Sequence, residues 1–471
     1  MTLGKIIAFA FGPIGAAALS LFTMPFVTWY FTVEDIGRLT MLQLSLSLTV
    51  ALFSLAMHQA YVREYHEEKD KSALFKASIL PGLILLILSL VIISILPFSI
   101  SDYLFGIDSS ILTIFLFVGL ISSYFINFLA HVVRMQERGI AFSLAQITPK
   151  LFFLVLIGIL LLFNIGAEFQ YLLMMNTLAL FTSFLILCWL TRDTWTVALI
   201  KKIDFILLKK MLKFSLPLVF GGLAYWGLTT MDRFFLRSMS GFEELGVYAL
   251  SVTLAGAVAV ISTIFSNLWH PTVYKWINEG VQPDKVQRVI ENMVLLVAAI
   301  WSLVGILSWI IPFFFPKDYK AIEYLFIACV SMPLLYMLSE TTVVGIGISR
   351  KTTFSMLASF VAFITNAILN YYLIPVYGAS GAAMATVFSF FIFFTVRTEA
   401  SSILWFSMPR VKVYIVVFLY VLLTLVVVLT KNTLEYINFY WLILLLMTIF
   451  LFFDRVDESI IYLKNYFKRE V

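Results

Sequence analysis

Residues 77–98 read ASILPGLILLILSLVIISILPF, an apolar run that contains no charged side chain. A helix needs about 20 such residues to cross the hydrocarbon core of a bilayer. Comparable runs recur along the whole chain, in which 62% of the 471 residues are hydrophobic and 13% are charged. In soluble domains about 25% of the residues are charged. The composition therefore excludes an ordinary soluble protein and predicts that the chain lies in a membrane.

The apolar runs predict an all-α polytopic membrane protein with about 14 transmembrane helices. They cover residues 6–30, 39–62, 77–98, 111–133, 141–163, 170–190, 214–236, 246–271, 290–311, 322–345, 354–374, 380–396, 413–430 and 439–453. The runs lack the two-residue alternation of membrane strands, which favours a helical bundle over a barrel. The first run follows a single cation, Lys5, but it is too long for a secretory signal peptide, and we expect it to be retained.

The lysine and arginine residues are distributed unevenly between the two sides of such a bundle. With the N-terminus inside, the cytoplasmic segments carry most of them, including Arg134, Lys201, Lys210, Lys275, Lys351, Arg397, Arg410 and Arg455. The opposite side carries Arg38, Arg233, Arg237, Lys317, Lys320 and Lys431. Because cytoplasmic segments are enriched in lysine and arginine, this split predicts that both termini are cytoplasmic. The net charge of +5 is then an orientation signal and not a nucleic-acid-binding patch.

The chain also repeats itself. A set of residues recurs at a constant offset of about 212 positions, since Arg138, Phe142, Ser143, Gly166 and Ala167 match Arg350, Phe354, Ser355, Gly378 and Ala379. Residues 34–37 (EDIG) open the second run much as residues 243–246 (EELG) open the eighth. We interpret this as two six-helix lobes that are parallel repeats about an axis along the membrane normal. Transporters built in this way hold their substrate between the halves.

The repeat and the charge pattern together divide the chain into four segments. They are an N-terminal lobe of residues 1–191, an amphipathic cytoplasmic linker of residues 192–213, a C-terminal lobe of residues 214–408, and a final helix pair with a cytoplasmic tail in residues 409–471. The linker carries Trp195, Leu199, Ile203 and Leu207 at helical spacing with lysines on its other side, which predicts a helix on the inner leaflet.

Polar side chains inside apolar runs are costly, so they face either a hydrated cavity or a neighbouring helix. The predicted cavity-lining residues are Gln43, His58, Asn127, His131, Gln146, Asn366 and Asn370. On any one helix, the polar residues form a stripe along one face, and hydrogen bonding between helices explains such a stripe equally well. Several stripes in one chain favour a shared polar cavity.

Lys150 is the most informative single residue, because it lies near the middle of the fifth run, too deep for its ammonium group to reach the interface easily. A lysine at the bilayer centre costs about 2.5–3.5 kcal/mol on insertion scales. The residue at the corresponding position of the second copy is Ala362, so the scaffold itself does not require a charge there. The hypothesis is that Lys150 binds an anionic group of a substrate; the alternative is a structural ion pair with a buried acid such as Glu340.

Other charged residues lie inside the predicted spans. Asp232 and Glu340 are the candidates for carrying a coupling proton or cation, while ion pairing with neighbouring helices explains them equally well. His58, His131 and His270 lack metal-ligand spacing. Cys188 and Cys329 fall in apolar runs and are expected to be core residues. No cofactor is therefore expected.

The segment from Lys213 to Pro271 resembles a known family. The matching residues are Phe214-Ser215-Leu216-Pro217, Met231-Asp232-Arg233, Glu244-Leu245-Gly246-Val247-Tyr248 and Pro271, with a looser copy at Pro13 and Asp35-Ile36-Gly37. They are similar to the oligosaccharide-lipid flippases of O-antigen and capsule assembly. These flippases form the polysaccharide-transport branch of the multidrug/oligosaccharidyl-lipid/polysaccharide exporter superfamily.

The resemblance implies two six-helix bundles that work by alternating access in the bacterial inner membrane. The substrate would be an undecaprenyl-pyrophosphate-linked oligosaccharide, moved from the cytoplasmic to the periplasmic leaflet, and the partners would be membrane lipids and the polymerase and chain-length proteins of polysaccharide assembly. Lys150, Arg134 and Arg233 would bind the pyrophosphate. Members of the family have cationic cavities, and in this sequence only Lys150 clearly fits that description.

Three alternatives stay open. A lipid II flippase has the same architecture, and the match around Asp232-Arg233 favours the polysaccharide branch over it. A multidrug or cation antiporter of the superfamily is expected to have buried acids, whereas Lys150 is a buried base. A membrane glycan polymerase or acyltransferase needs positioned acids and bases, usually on a large external loop, and the connections here are short. The chain is therefore not expected to be an enzyme.

Overall fold

The structure, a computed structural model, describes residues 3–280 and 284–458. These residues form 18 α-helices and no strand, so the all-α fold class predicted from the sequence is confirmed. The helices are α1 (Leu3–Tyr30), α2 (Val33–Phe53), α3 (Met57–Glu64), α4 (Lys71–Ile95), α5 (Ile100–Phe105), α6 (Ser110–Met135), α7 (Gly139–Leu162), α8 (Phe169–Leu190), α9 (Arg192–Ile200), α10 (Phe205–Met239), α11 (Phe242–Asn278), α12 (Asp284–Leu307), α13 (Ile322–Thr342), α14 (Val344–Ile348), α15 (Thr353–Tyr377), α16 (Ala379–Leu404), α17 (Val411–Leu429) and α18 (Ile437–Leu451). Two 3-10 helices, Ser308–Phe314 and Lys317–Tyr319, connect α12 to α13.

Among the described residues, 12 helices are long and apolar enough to cross a membrane. The remaining two predicted spans correspond to α10 and α18. α10 is a 35-residue helix whose uncharged part, residues 214–231, lies between lysines and the Asp232-Arg233 pair. α18 is apolar but has only 15 residues. The protein is thus a multi-pass membrane protein, and the estimate of about 14 spans agrees with its helices.

The second predicted span is interrupted between α2 and α3. Leu55 and Ala56 have φ angles of 48° and 52°, which place two non-glycine residues in the left-handed region. Such residues cost about 1–3 kcal/mol each and persist only where the surrounding structure imposes them. The carbonyl of Phe53, at the end of α2, approaches Gly82 on α4 so closely that a Cβ at Gly82 would collide with it. The break thus lies where α2 contacts α4.

The predicted linker helix over residues 192–213 is also interrupted. α9 ends at Ile200, and α10 begins after Asp204, whose carboxylate accepts hydrogen bonds from the N–H groups of Ile206 (2.9 Å) and Leu207 (3.0 Å). A side chain that caps a helix N-terminus favours a new helix at this point. The Lys201 ammonium donates to Asp70 at 2.7 Å and, with a backbone N–H of α4, lowers the pKa of that carboxyl.

The chain divides into two compact units. The first contains the chain up to Arg237 together with Gly241–Ala249, and the second contains Ser238–Ser240 together with the chain from Leu250 onward. In the first unit α1 packs on α7, and α8 packs on both α6 and α7. In the second unit α16 packs on α13 and α15, and α12 packs on α13 and α18. Nearly all of α10 belongs to the first unit, whereas the predicted C-terminal lobe begins at residue 214; the lobe boundaries stay a prediction.

Candidate functional site

A cavity of about 90 Å³ lies inside the first unit, between α1, α2, α7 and α8. Its polar lining consists of Ser20, Thr23, Gln43, Lys150 and Asn176. The rest of its wall is apolar and includes Phe153 and Leu180. Of the residues predicted from the sequence, Lys150 and Gln43 thus lie together. Asn176 was not predicted, because a single asparagine in an apolar run carries no further sequence signal.

Lys150 is exposed at this cavity and forms no hydrogen bond or ion pair with the described residues of its unit. The proline before it, Pro149, lies inside α7 and has no N–H, which leaves the carbonyl four residues earlier without its helical donor. The alternative of an ion pair with Glu340 gains no support, since both oxygens of that carboxylate are bound by other residues of the second unit.

The predicted residues His58 and His131 come into direct contact. Their rings are stacked, with centroids 4.9 Å apart and an interplanar angle of 23°. Both Nδ1 atoms are buried and have no hydrogen-bond partner among the described residues. Arg134, one turn after His131 on α6, is exposed, and Asn127, one turn before it, is half-buried. Three predicted residues of α6 thus follow one another along the helix, and one of them contacts α3.

Gln146 lies one turn before Lys150 on α7 and is half-buried. Asn366 and Asn370 of α15 are completely buried and bind one another, with Asn370 Nδ2 donating to Asn366 Oδ1 at 2.8 Å. In this structure both asparagines therefore pack inside the second unit and do not line an open cavity. The remaining amide atoms, Asn366 Nδ2 and Asn370 Oδ1, are buried without a partner in the described part of the chain.

Asp232 is buried and accepts a hydrogen bond from the hydroxyl of Tyr248, so two residues of the motif quoted above bind one another. Its second oxygen accepts the backbone N–H of Arg233 at 2.8 Å. The guanidinium of Arg233 is half-buried, and its Nε has no partner among the described residues. Asp232 is therefore held inside the first unit, while Arg233 retains hydrogen-bonding capacity.

Glu340 is the centre of a buried ion pair in the second unit. Its Oε1 accepts from Arg397 Nη1 at 2.8 Å, and its Oε2 lies 2.9 Å from His270 Nε2. The same Arg397 nitrogen also donates to the Ser339 hydroxyl at 3.0 Å. The predicted end of this span at residue 396 is wrong, because α16 continues to Leu404 and leaves the Arg397 side chain 8% exposed. The cytoplasmic side of Arg397 stays a prediction.

A family model of polysaccharide biosynthesis proteins matches residues 3–276, which is more than half of the chain. The chain belongs to this family. No protein in the curated collection of known proteins matches it. The resemblance predicted from the residues around Asp232-Arg233 is therefore confirmed at the level of the polysaccharide biosynthesis family.

Several solved structures have the same fold, and their alignments include most of this chain. The lipid II flippase MurJ, in an inward closed conformation, is 15% identical with a TM-score of 0.65, and the alignment covers 99% of this chain and 100% of that chain. A multidrug resistance transporter of the MATE family, in an inward-facing conformation, is 15% identical with a TM-score of 0.56 over 82% of this chain and 95% of that chain. A transporter of the MOP superfamily from Pyrococcus furiosus is 14% identical with a TM-score of 0.54, over 85% and 96%. The chain thus shares the fold of these three transport proteins.

The repeated motif of the chain forms a reciprocal contact in the first unit. A Cβ at Gly37 of α2 would collide with the carbonyl of Phe242, and a Cβ at Gly246 of α11 would collide with the carbonyl of Val33. Val33 and Phe242 occupy equivalent positions, one residue before the repeated acidic pair. The helix starts therefore cross with approximate two-fold symmetry at a distance that only glycine allows.

Two guanidiniums surround this crossing. Arg38 lies 5.0 Å and Arg237 lies 4.0 Å from the centroid of the Phe242 ring. Arg38 also binds Glu34 and Asp35, each at 2.9 Å. The Arg38 contact ties the beginning of α11 to α2 and the Arg237 contact ties it to α10, while the two ion pairs hold the Arg38 guanidinium in place on α2. The sequence repeat predicted that the two segments are equivalent but not that they touch.

Proposed function

We propose that the protein is a flippase for undecaprenyl-pyrophosphate-linked oligosaccharides, the repeat units of O-antigen or capsule. It moves them from the cytoplasmic to the periplasmic leaflet of the bacterial inner membrane by alternating access, with both termini in the cytoplasm. The observation that carries the proposal is Lys150, an unpaired cation at a polar-lined cavity within a helical bundle of the polysaccharide biosynthesis family.

The chemistry of such a lipid supports this function. A pyrophosphate needs cationic partners, because a lysine or arginine forms charge-assisted hydrogen bonds with phosphate oxygens. Lys150, the exposed Arg134 and the half-buried Arg233 are the candidates, and none of the three forms an ion pair with the described residues of its unit. A glycan needs amide and imidazole partners, for which Gln43, Asn127, Gln146, His58 and His131 are the candidates.

The proposal includes ion coupling through Asp232 and Glu340. Both carboxylates are buried and hydrogen-bonded, so adding a proton or a cation changes contacts that hold helices together. For Glu340 these contacts bind α13 to α16 through Arg397 and to α11 through His270. A coupling ion affects transport only if it binds two conformations of the protein with different affinity. The Glu340 carboxylate meets that condition if the three helices that it links move relative to one another during transport.

The test measures flipping in proteoliposomes of the purified protein. Lys150→Gln is compared with Lys209→Gln, which removes an exposed lysine that forms no ion pair in the described part of the chain. With an undecaprenyl-pyrophosphate oligosaccharide we expect Lys150→Gln to slow flipping by about tenfold or more and Lys209→Gln to leave it unchanged. Undiminished flipping by correctly inserted Lys150→Gln would contradict the role of Lys150.

Parallel assays with lipid II and with a cationic dye separate the alternatives within the superfamily. Faster movement of lipid II than of the oligosaccharide lipid would assign the protein to the lipid II flippases. Movement of the dye alone would assign it to the multidrug transporters. Mass spectrometry of lipids that co-purify in mild detergent identifies the sugar composition of the bound repeat unit.

A further inference from the structure

The cavity at Lys150 has an unbalanced charge. Lys150 is the only ionisable residue among the residues that line it, and the side chain has no counter-ion among the residues of its unit that the structure describes. A charge that is removed from bulk water is stable only when it is paired or well hydrated. A single uncompensated cation inside a membrane helix bundle therefore favours the binding of one negative charge.

The other polar groups of the wall provide hydrogen-bond donors. The amides of Gln43 and Asn176 each have two N–H donors, and Ser20 adds a hydroxyl. Thr23 differs, because its hydroxyl donates to the carbonyl of Leu19 at 2.6 Å and presents only lone pairs to the cavity. The ammonium group, two amides and one hydroxyl together can surround an anion, and the lining includes no carboxylate that would compete with it.

The size and the charge of the cavity limit the anion. A volume of about 90 Å³ is well below the volume of pockets for drug-sized ligands, which measure about 300–1,000 Å³. The cavity therefore has room for one small anion or one anionic group, and not for a whole sugar repeat unit. A phosphate dianion would leave one negative charge unbalanced against Lys150, whereas a monovalent ion neutralises it.

We propose that this cavity is a binding site for a monovalent inorganic anion of the size of chloride, held by Lys150, Asn176, Gln43 and Ser20. The site belongs entirely to the first unit and shares Lys150 and Gln43 with the proposed substrate contacts, so the inorganic anion occupies it only while the lipid-linked substrate is absent. The bound ion makes the cavity electrically neutral and bridges α7 to α1, α2 and α8.

The experiment uses the full-length protein in detergent without added lipid substrate and measures the midpoint of thermal unfolding. Sodium chloride replaces sodium gluconate at constant ionic strength, and sodium phosphate is tested in the same way. Because an ion that binds only the folded protein raises its stability, we expect a saturable rise of the midpoint with chloride. The variants are Lys150→Met, Asn176→Asp and the control Lys209→Met.

Asn176→Asp is the decisive variant, since it keeps Lys150 and the side-chain volume but adds a carboxylate that neutralises Lys150 from within the cavity. We expect half-saturation by chloride to require a concentration about tenfold higher or more in Lys150→Met and Asn176→Asp, with Lys209→Met unchanged. The proposal is overturned if wild-type protein shows no chloride effect, if Asn176→Asp responds as wild type does, or if phosphate binds more tightly than chloride. Because this assay contains no lipid substrate, its result is independent of the flipping assay.

Discussion

Lys150 and Glu340 show two ways in which an ionised side chain is accommodated inside an apolar helix. Glu340 is paired with Arg397 and His270 and is 6% exposed, so it links helices through contacts that the proposed coupling ion would change. Lys150 has no such partner within its unit and borders a cavity, which indicates a group that is available to a ligand. The partners of a charge inside an apolar helix, more than the charge itself, distinguish a side chain that links helices from one that is available to a ligand.

The buried pair makes a prediction about stability. Glu340→Gln or Arg397→Met, each alone, is expected to reduce the free energy of unfolding by about 3–5 kcal/mol, because each leaves its former partner buried without compensation. The double variant is expected to lose much less than the sum of the two, because it leaves neither charge unpaired. The measurement is a double-mutant cycle of thermal or denaturant unfolding in detergent.

The pair Arg410–Glu399 provides the control for this cycle. Its side chains are 28% and 36% exposed, although the contact is bidentate at 2.5 and 2.7 Å. For a pair in contact with water we expect a coupling of about 1 kcal/mol or less. Equal coupling energies at the two sites, or additive effects at Glu340 and Arg397, would show that the buried position of the first pair has no energetic consequence.

At the scale of the helices, the sequence predicted what depends on local composition and missed what depends on contacts. Apolar runs identify spans because each helix must satisfy its own backbone in lipid. The break between α2 and α3 leaves no such signal, since Leu55 and Ala56 are not the residue types that normally adopt positive φ. Arg397 was assigned to a connection because an arginine after an apolar run resembles a helix end, whereas its partner Glu340 lies on another helix.

The candidate site shows the same division. Lys150 is recognisable from sequence because a lysine in the middle of an apolar run is costly in any environment. Its neighbours in the cavity come from α1, α2 and α8, and only the folded helices bring Ser20 and Asn176 to it. Asn366 and Asn370 are four residues apart, a spacing that equally fits two residues lining a cavity and two residues that bind one another. In the structure they form a hydrogen bond with one another.

The reciprocal glycine crossing of α2 and α11 makes a prediction at this scale. Gly37→Ala and Gly246→Ala are each expected to destabilise the observed contact by about 1–3 kcal/mol, because the new Cβ meets a backbone carbonyl that cannot move independently. The thermal unfolding midpoint in detergent measures the effect. Gly222→Ala on α10 and Gly256→Ala on α11 are the controls, since a Cβ there meets no described atom within 4 Å.

The controls are expected to behave in the opposite way. Alanine is favoured over glycine inside a helix by about 1 kcal/mol, so Gly222→Ala and Gly256→Ala should be neutral or slightly stabilising. If Gly37→Ala and Gly246→Ala shift the midpoint no more than these controls, the close approach of the two helix starts is not maintained in the protein.

At the scale of the whole molecule, the charge distribution and the helix order must agree on one topology. The segments predicted to be cytoplasmic contain the exposed residues Lys201 and Lys351, and the opposite side contains Lys317 and Lys431. Between Lys201 and Lys351 the chain passes through the long helices α10, α11, α12 and α13, an even number of crossings. Between Lys351 and Lys431 it passes through α15, α16 and α17, an odd number. The parallel arrangement of the sequence repeats depends on these two parities.

Labelling of single cysteines from outside the cell tests this topology. Cys188 and Cys329 are first replaced by serine, and one cysteine is then introduced at position 201, 317, 351 or 431. A membrane-impermeant maleimide is expected to label positions 317 and 431 in cells with a permeabilised outer membrane, and positions 201 and 351 only after the inner membrane is opened, because lysine-rich segments stay in the cytoplasm.

Labelling of positions 201 and 351 from opposite sides would mean an odd number of crossings between them. The two copies of the repeat would then be inverted, with an in-plane symmetry axis, and the assignment of α10 as a full transmembrane helix would be wrong.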